Sequence, residues 1–196
     1  MTPAIPISDD FLARLRSREP EALSEVVRDH ARPLYRAARG LGFAEPEAED
    51  LVQDVFATFL VRLDSFEGRS QLRTWLFGIM HRKVQERRRA SAVEDRADAI
   101  EDVLESRFNL SGKWARPPAD LEKLFLSKEL GQFIRGCIES LPANQRDAFV
   151  LREVEGLETN EICKILNVSA TNFGVLFYRA RAQLRECLEL KGWSKQ

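Results

Sequence analysis

Aromatic and basic side chains lie close together in the stretch of sequence that ends near residue 90. Trp75 and Phe77 come first, and a basic run follows them, comprising His81, Arg82, Lys83, Arg87, Arg88 and Arg89. Bases of an unpaired strand stack on aromatic rings while cations hold the phosphates, and each stacked base is worth about 1–3 kcal/mol. The pattern therefore indicates single-stranded nucleic acid as a ligand. Two alternatives stay open: Trp75 belongs to the core, or the basic run is a solvated helix end that favours cations.

A short polar segment precedes this stretch. The segment from Phe66 to Gln71 contains Gly68 and Arg69, and it interrupts the apolar periodicity on both sides. Glycine lets the main chain turn and approach a ligand closely, and arginine can hold a base edge or a phosphate. The segment is therefore a candidate for binding an unstacked base.

The second half of the chain has the pattern of a helix-turn-helix motif. A short helix over 159–166 is followed by the turn Asn167-Val168-Ser169 and a long helix over 170–190. The second helix of such a motif enters the major groove with its N-terminal half. The side chains opposite or beside its apolar stripe are Thr171, Asn172, Gly174, Val175, Tyr178, Arg179, Arg181 and Arg185. The arginines can hold phosphates, and Thr171 and Val175 can contact thymine methyl groups. An ordinary helical hairpin remains the alternative.

An acidic and polar face occupies the helix expected over 47–63. Asp50, Gln53 and Asp54 share one side of that helix, opposite its apolar stripe. Carboxylates repel phosphate, so this face indicates an arginine-rich protein surface as its partner. Complementarity to the helix dipole accounts for Asp50 in the first turn, but it does not account for Gln53 and Asp54 farther along.

The sequence predicts no catalytic, cofactor or metal site. It has no glycine-rich phosphate loop, no histidine near a clear nucleophile, and no carboxylates at metal-ligand spacing. Its cysteines, Cys137, Cys163 and Cys187, form no C-x-x-C pair, so a zinc site would need long-range assembly. We expect reduced, intracellular thiols that pack as small apolar residues.

Helical periodicity runs through nearly the whole chain of 196 residues, and the strict alternation of strands is absent. Hydrophobic residues make up 44% and the formal net charge is -1, so phosphate binding must come from local clusters. No run of about 18 apolar residues and no signal peptide is found, which favours a cytoplasmic protein without a membrane span. The expected helices cover 9–18, 21–40, 47–63, 70–89, 124–138, 142–155, 159–166 and 170–190. Pro33 should kink or split the second.

The middle of the chain changes character. An acidic tract and then turn-forming residues occupy 91–127, which indicates a flexible linker. The sequence thus predicts an all-α fold with two small helical domains, 1–90 and 128–196, joined by this linker. A solvated tether and a segment that complements a basic channel both fit the acidic tract.

Several motifs in this order resemble one protein family. Asp50–Phe56, Phe66–Ser70 and Leu72–Ile79 resemble region 2 of bacterial sigma factors of the extracytoplasmic-function type. Leu141–Arg146, Leu151–Leu157, Glu161-Ile162 and Tyr178–Arg181 resemble region 4 of the same family. Each motif alone is weak, but their order, spacing and total length make the combination specific.

The resemblance implies an alternative sigma factor that binds core RNA polymerase and directs promoter-specific initiation, in a stress or environmental response. Region 2 would dock on the polymerase clamp helices through Asp50, Gln53 and Asp54. Other residues of region 2 would capture a base of the downstream promoter element and hold its unpaired strand. These residues would be Phe66, Gly68, Arg69, Ser70, Gln71, Arg73, Trp75, Arg82 and Lys83. Region 4 would bind the polymerase flap and read the upstream element of promoter DNA. An anti-sigma factor commonly silences such proteins.

Two departures from the family pattern affect the recognition helix. Gly174 and Leu176 stand where the family usually has basic residues, and Gly174 costs about 1 kcal/mol of helix propensity. Base readout is then expected to rest on Thr171, Asn172, Val175 and Tyr178. The competing functions are a stand-alone helix-turn-helix regulator, which would bind its operator without polymerase, and a helical interaction protein with no nucleic-acid role. An enzyme is the least favoured class.

Overall fold

The computed structural model describes residues 8–68, 70–90 and 128–190, with the side chains of 128–132 excepted. The regular elements in these ranges are all helical, so the expected all-α class is confirmed. The helices are α1 (Asp9–Arg16), α2 (Pro20–Gly40), α3 (Glu45–Arg62), α4 (Leu72–Ala90), α5 (Lys128–Glu139), α6 (Ala143–Phe149), α7 (Thr159–Leu166) and α8 (Ala170–Leu190). None of the described helices is long and apolar enough to cross a membrane. The predicted linker, 91–127, lies outside the described residues.

Local sequence signals account for the helix–turn–helix boundaries. Asn167 ends α7 in the left-handed conformation at φ 56°, which asparagine tolerates better than most residues. Ser169 then accepts a hydrogen bond from the Asn172 main-chain N–H at 3.1 Å, which caps α8. Gly156, at φ 63°, closes the preceding turn. The sequence predictions for these three residues are confirmed.

Two helices differ from expectation. Pro33 does not split α2, which runs unbroken from Pro20 to Gly40. Proline removes one main-chain donor, and the burial of Val26 and Leu34 on either side holds the helix in place. The helix predicted over 142–155 is α6 followed by a wider π turn over Val150–Val154.

The two halves of the chain pack together. Helices α1–α4 form an N-terminal bundle, helices α5–α8 form a C-terminal bundle, and their buried apolar side chains belong to one continuous core. The bundles lie close together where α2 meets the π turn: a Cβ placed on Gly40 would lie 3.2 Å from the Val150 methyl carbons. Glycine at this position permits the contact. No pattern in the sequence indicates that the two bundles pack together.

The cysteine prediction was wrong for two of the three thiols. Cys137 of α5 and Cys187 of α8 form a disulfide with a Cα–Cα distance of 5.8 Å. Since α5 and α8 pack side by side, two residues separated by 50 positions become neighbours, which spacing in sequence does not indicate. Cys163 remains a thiol and packs half-buried against the core, as expected.

Candidate functional site

The N-terminal half of α8 presents the predicted base-reading face to solvent. Thr171, Asn172 and Val175 are exposed, and Val175 retains 42% of its accessible surface. Phe173 and Ala180, on the opposite side, are buried and anchor the helix. An exposed apolar side chain beside two small polar ones at a helix start suits the floor of a major groove.

The C-terminal half of α8 is held more tightly against the protein. Tyr178 and Arg179 are half-buried, and the Arg181 guanidinium lies over the Phe177 ring at 5.5 Å from its centroid. Arg185 donates to the Glu189 carboxylate at 2.7 Å. These residues could reach phosphates at the edge of a groove, but their present contacts favour a supporting position rather than direct base readout.

Two aromatic residues of the candidate single-strand site, Phe66 and Trp75, pack on each other. Phe66 is 3% exposed, and its ring stacks on that of Trp75 with centroids 4.6 Å apart. Trp75 is half-buried and also meets Phe59 edge-on at 5.7 Å. The core alternative for Trp75 is therefore the one observed, and the Phe66 ring is occupied by the same stack. Packing the two rings together removes apolar surface from water, whereas a ring left exposed for a base would keep that surface in solvent.

The rest of the candidate loop is closer to solvent. Gly68 is exposed at φ 74°, a conformation that glycine adopts without strain, and Ser70 and Gln71 are half-buried. Arg69 lies outside the described residues. The loop therefore keeps polar groups and main chain near the surface while Phe66 anchors its beginning.

Helix α1 braces this loop, a role that sequence reasoning missed. The Arg16 guanidinium donates to the Phe66 main-chain carbonyl at 3.0 Å. Leu12 packs so near Gly68 that a Cβ there would lie 3.2 Å from its methyl carbon. In the sequence Arg16 is one of several basic residues near helix ends, so no pattern distinguishes it.

The acidic face of α3 is open to solvent. Asp50, Gln53 and Asp54 are all exposed and share one side of the helix. Asp54 accepts from Arg87 at 2.6 Å, and the other end of the Arg87 guanidinium donates to the Glu47 carbonyl at 3.0 Å. The structure thus brings the three predicted contact residues together, with Asp54 already paired.

A buried carboxylate of the C-terminal bundle joins the two bundles. The Glu155 side chain is fully buried and accepts two hydrogen bonds from Arg36, at 2.8 and 2.9 Å. Arg73 reaches the same carboxylate at 3.3 Å and also donates to the Glu155 main-chain carbonyl. Burial raises the pKa of Glu155, while the hydrogen bonds and charges of the two arginines act in the opposite direction. Arg73, predicted to hold the promoter strand, is therefore engaged within the protein.

A second buried carboxylate repeats this arrangement about four helical turns away along α4. Asp147 is 1% exposed and accepts from both terminal nitrogens of Arg88, at 3.0 and 2.9 Å. Gln85 donates to it at 3.4 Å, and His81 Nδ1 lies 3.6 Å away. Burial lowers the pKa of His81, with the Asp147 charge opposing that effect. No sequence pattern indicated Asp147 or Glu155 as partners of these cations.

A polar cleft of about 510 Å³ opens beside this face, between α4 and α7. Arg82 and Arg89 line it from α4 and Lys164 lines it from α7, and all three are exposed. Lys83, the other predicted strand-holding residue on α4, is half-buried and pairs with Glu86 at 3.8 Å. Of the predicted strand-holding residues on α4, Arg82 thus lines the cleft, Arg73 lies at the contact between the bundles, and Lys83 pairs with a neighbour on its own helix.

Comparison with known families matches both halves of the chain. Residues 26–93 match the model of sigma-70 region 2, and residues 134–184 match the model of sigma-70, region 4. A probable RNA polymerase sigma factor of Haemophilus influenzae is 32% identical over 151 residues, covering 74% of this chain and 78% of that protein. The ECF RNA polymerase sigma-E factor of Escherichia coli K12 is 34% identical over 137 residues, covering 69% and 70%.

Solved structures share the architecture. The sigma factor RpoE of Bartonella quintana, in complex with the anti-sigma factor NepR, is similar with a TM-score of 0.62 and 26% identity, covering 85% of this chain and 96% of that one. CnrH, in complex with the cytosolic domain of CnrY, has the same fold with a TM-score of 0.66 at 24% identity, covering 94% and 97%.

Proposed function

The chain belongs to the extracytoplasmic-function group of the sigma-70 family, and from this premise we propose how its two bundles divide the work of initiation. It is an alternative sigma factor that directs RNA polymerase to specific promoters. The observation that carries this conclusion is the presence of both family regions, in order, on one chain. We assign residues 1–90 to region 2, 91–127 to the linker and 128–196 to region 4. We expect a non-enzymatic initiation factor that acts in the cytoplasm.

For region 2 we propose two surfaces. The acidic face of α3, with Asp50, Gln53 and Asp54, docks on the clamp helices of core polymerase. The loop after Phe66, with Gly68, Arg69, Ser70 and Gln71, captures a base from the melted downstream element. Main-chain groups and short polar side chains supply the hydrogen bonds that a flipped base needs. Arg73, Arg82 and Lys83 then hold the strand.

For region 4 we propose binding to the polymerase flap and readout of the upstream promoter element by α8. Thr171, Asn172 and Val175 supply base contacts, and the arginines and Tyr178 supply backbone contacts. The chain has a formal net charge near zero and only one small exposed patch of proposed base-reading residues. Because attraction to phosphates supplies much of the affinity for DNA, we expect the free protein to bind duplex DNA weakly. We also propose that an anti-sigma factor regulates this protein in a stress or environmental response, since the similar RpoE is solved with one.

The direct test is run-off transcription with purified core enzyme on promoters selected from a random library. Transcripts that require both the chain and the core enzyme support the proposal. A gel shift with the chain alone tests the competing function, because a stand-alone regulator would bind a specific duplex without polymerase. Specific duplex binding combined with no transcript on any selected promoter would overturn the assignment.

We predict that Asp50→Arg weakens binding to core polymerase by at least about tenfold. Charge reversal at the rim of a complementary interface replaces attraction by repulsion and slows association. The fold should be unaffected because Asp50 is exposed. The measurement is core affinity by fluorescence anisotropy of labelled chain, with exposed Glu153→Arg in the C-terminal bundle as the control for net charge. Equal affinities for the two variants would show that α3 does not face the clamp.

We predict that Arg16→Ala blunts discrimination of the downstream element. Losing the hydrogen bond to the Phe66 carbonyl frees the start of the loop, so a matched and a single-base-mismatched promoter strand should differ about tenfold less in binding to the holoenzyme. Arg16→Lys should restore part of the discrimination, and exposed Arg32→Ala serves as control. Unchanged discrimination together with unchanged core affinity would remove Arg16 from this role.

A further inference from the structure

We propose that Gly174 determines specificity in promoter readout: the space left by its missing side chain receives the methyl group of one thymine in the upstream element. This inference rests on the proposed reading of that element by α8. It gives a role to a residue that the proposed base contacts, Thr171, Asn172 and Val175, leave out. It also names the base that α8 prefers at one position of the element.

Nothing in the fold requires glycine at position 174. The residue lies inside α8, and its φ is not positive. Apart from its chain neighbours and the backbone of its own helix, no atom of the described residues would come within 4 Å of a Cβ placed there. Gly40 and Gly156 differ, because a Cβ on the first would crowd Val150 and the second has a φ of 63°. Glycine inside a helix is less stable than alanine, so the fold gains nothing from Gly174.

The missing side chain leaves a notch in the face of α8 that is proposed to contact bases. Gly174 is exposed, Val175 follows it in the chain, and Thr171 precedes it by about one helical turn. Tyr178 lies about one turn farther on. Neither the Thr171 nor the Tyr178 side chain comes within 4 Å of the Cβ position, so these neighbours leave the notch unfilled. A group of the DNA can therefore approach the main chain of α8 more closely here than at a residue with a side chain.

The chemistry around the notch favours thymine. The segment 170–178 contains no charged residue, and the first cation of α8 is Arg179. Guanine is read most often by arginine or lysine and cytosine by acidic side chains, and this segment offers neither. Thymine instead presents its C5-methyl group in the major groove, where small apolar contacts recognise it. Thr171 and Val175 supply such contacts beside the notch.

The proposal has a steric consequence that can be measured. Alanine at position 174 would place its own methyl group in the space proposed for the thymine methyl, and two methyl groups cannot occupy one site. Uracil pairs like thymine but lacks the C5-methyl group, so it leaves room for the alanine. The substitution Gly174→Ala should therefore reverse the preference between thymine and uracil at one position of the element.

The experiment measures binding of the holoenzyme to fluorescein-labelled duplex promoters by anisotropy. Each thymine of the selected upstream element is replaced in turn by deoxyuridine. At one position, the wild-type holoenzyme should bind uracil about fourfold more weakly than thymine, as expected for the loss of one buried methyl group. Gly174→Ala should bind the thymine promoter about tenfold more weakly than wild type does, and it should prefer uracil at that position. A Gly174→Ala holoenzyme with the same thymine preference as wild type overturns the inference.

Thermal unfolding followed by circular dichroism separates this role from a structural one. Gly174→Ala should raise the unfolding midpoint by about 2–4 °C while it weakens promoter binding. The matched control is Gly78→Ala inside α4, where a Cβ would meet only the end of the Arg82 side chain at 3.8 Å. The control should keep the wild-type preference for thymine. A lower midpoint for Gly174→Ala would show that the fold itself needs glycine there, and it would contradict the proposal.

The outcomes distinguish this inference from the proposed function. If scrambling the upstream element leaves binding of the wild-type holoenzyme unchanged, α8 does not read that element and the proposed function of region 4 is wrong. If the element is needed but no thymine in it shows the reversed preference, α8 reads DNA without the notch, and only the role of Gly174 is wrong.

Discussion

Reducing the Cys137–Cys187 disulfide is expected to lower the free energy of unfolding of region 4 by about 4 kcal/mol. The bond joins residues separated by 50 positions, and in the chain-entropy model a closed loop of that length restricts the unfolded ensemble by an amount of this order. It also ties α5 to α8, the helix proposed to read the upstream promoter element. Thermal unfolding followed by circular dichroism, with and without reductant, measures the loss.

Two serine variants make the test specific. Cys187→Ser removes the disulfide and should reproduce the effect of reductant on the unfolding midpoint, and further reductant should then change nothing. Cys163→Ser removes a half-buried thiol that lies outside the disulfide and should lower stability by much less. If wild type melts at the same temperature in both redox conditions, the disulfide does not contribute to the stability of region 4.

Features that depend on neighbouring residues were readable from the sequence. The bounds of α7 and α8 follow from apolar residues at helical spacing, and the turn between them follows from Asn167 and Ser169, whose side chains and backbone preferences act locally. The exposure of Thr171 and Val175 follows from the same periodicity, because the opposite face must be buried. Local physics therefore predicts the position of α8 and its exposed face.

Features that depend on the packing of distant elements were not readable. Glu155 and Arg36 are 119 residues apart, and a chain with 30 lysines and arginines and 31 acids offers too many pairings to single out one. The Phe66 ring could equally stack on a base or on Trp75 until the burial around it is known. Composition indicates which groups can interact, but only the fold determines which of them meet.

The packing of the two bundles leaves some proposed surfaces open and covers others. Asp50 and Gln53 on α3, and Thr171 and Asn172 on α8, remain exposed while Arg73 is engaged by Glu155. Core polymerase could therefore reach the proposed docking face of α3 while the two bundles are packed together.

Replacing Trp75 by alanine should destabilise region 2 by about 3 kcal/mol. This value is at the lower end of the range for removing a large aromatic side chain, because Trp75 is only half-buried. The substitution removes the stack on Phe66 and the edge contact with Phe59, and it leaves a void beside the start of the loop proposed to capture a base. Urea unfolding followed by circular dichroism measures this change. Trp75→Phe, which keeps a ring in the stack, should recover more than half of the loss.

The same pair of variants decides between packing and base stacking for this ring. If Trp75 acts through packing, promoter opening by the holoenzyme should fall in parallel with stability, and Trp75→Phe should restore both. If the ring leaves Phe66 to stack on a base in the open complex, Trp75→Ala should impair opening of a duplex promoter far more than it lowers stability. Because the ring now stacks on Phe66 at 4.6 Å, we expect the parallel loss. Unchanged stability with abolished opening would contradict that expectation.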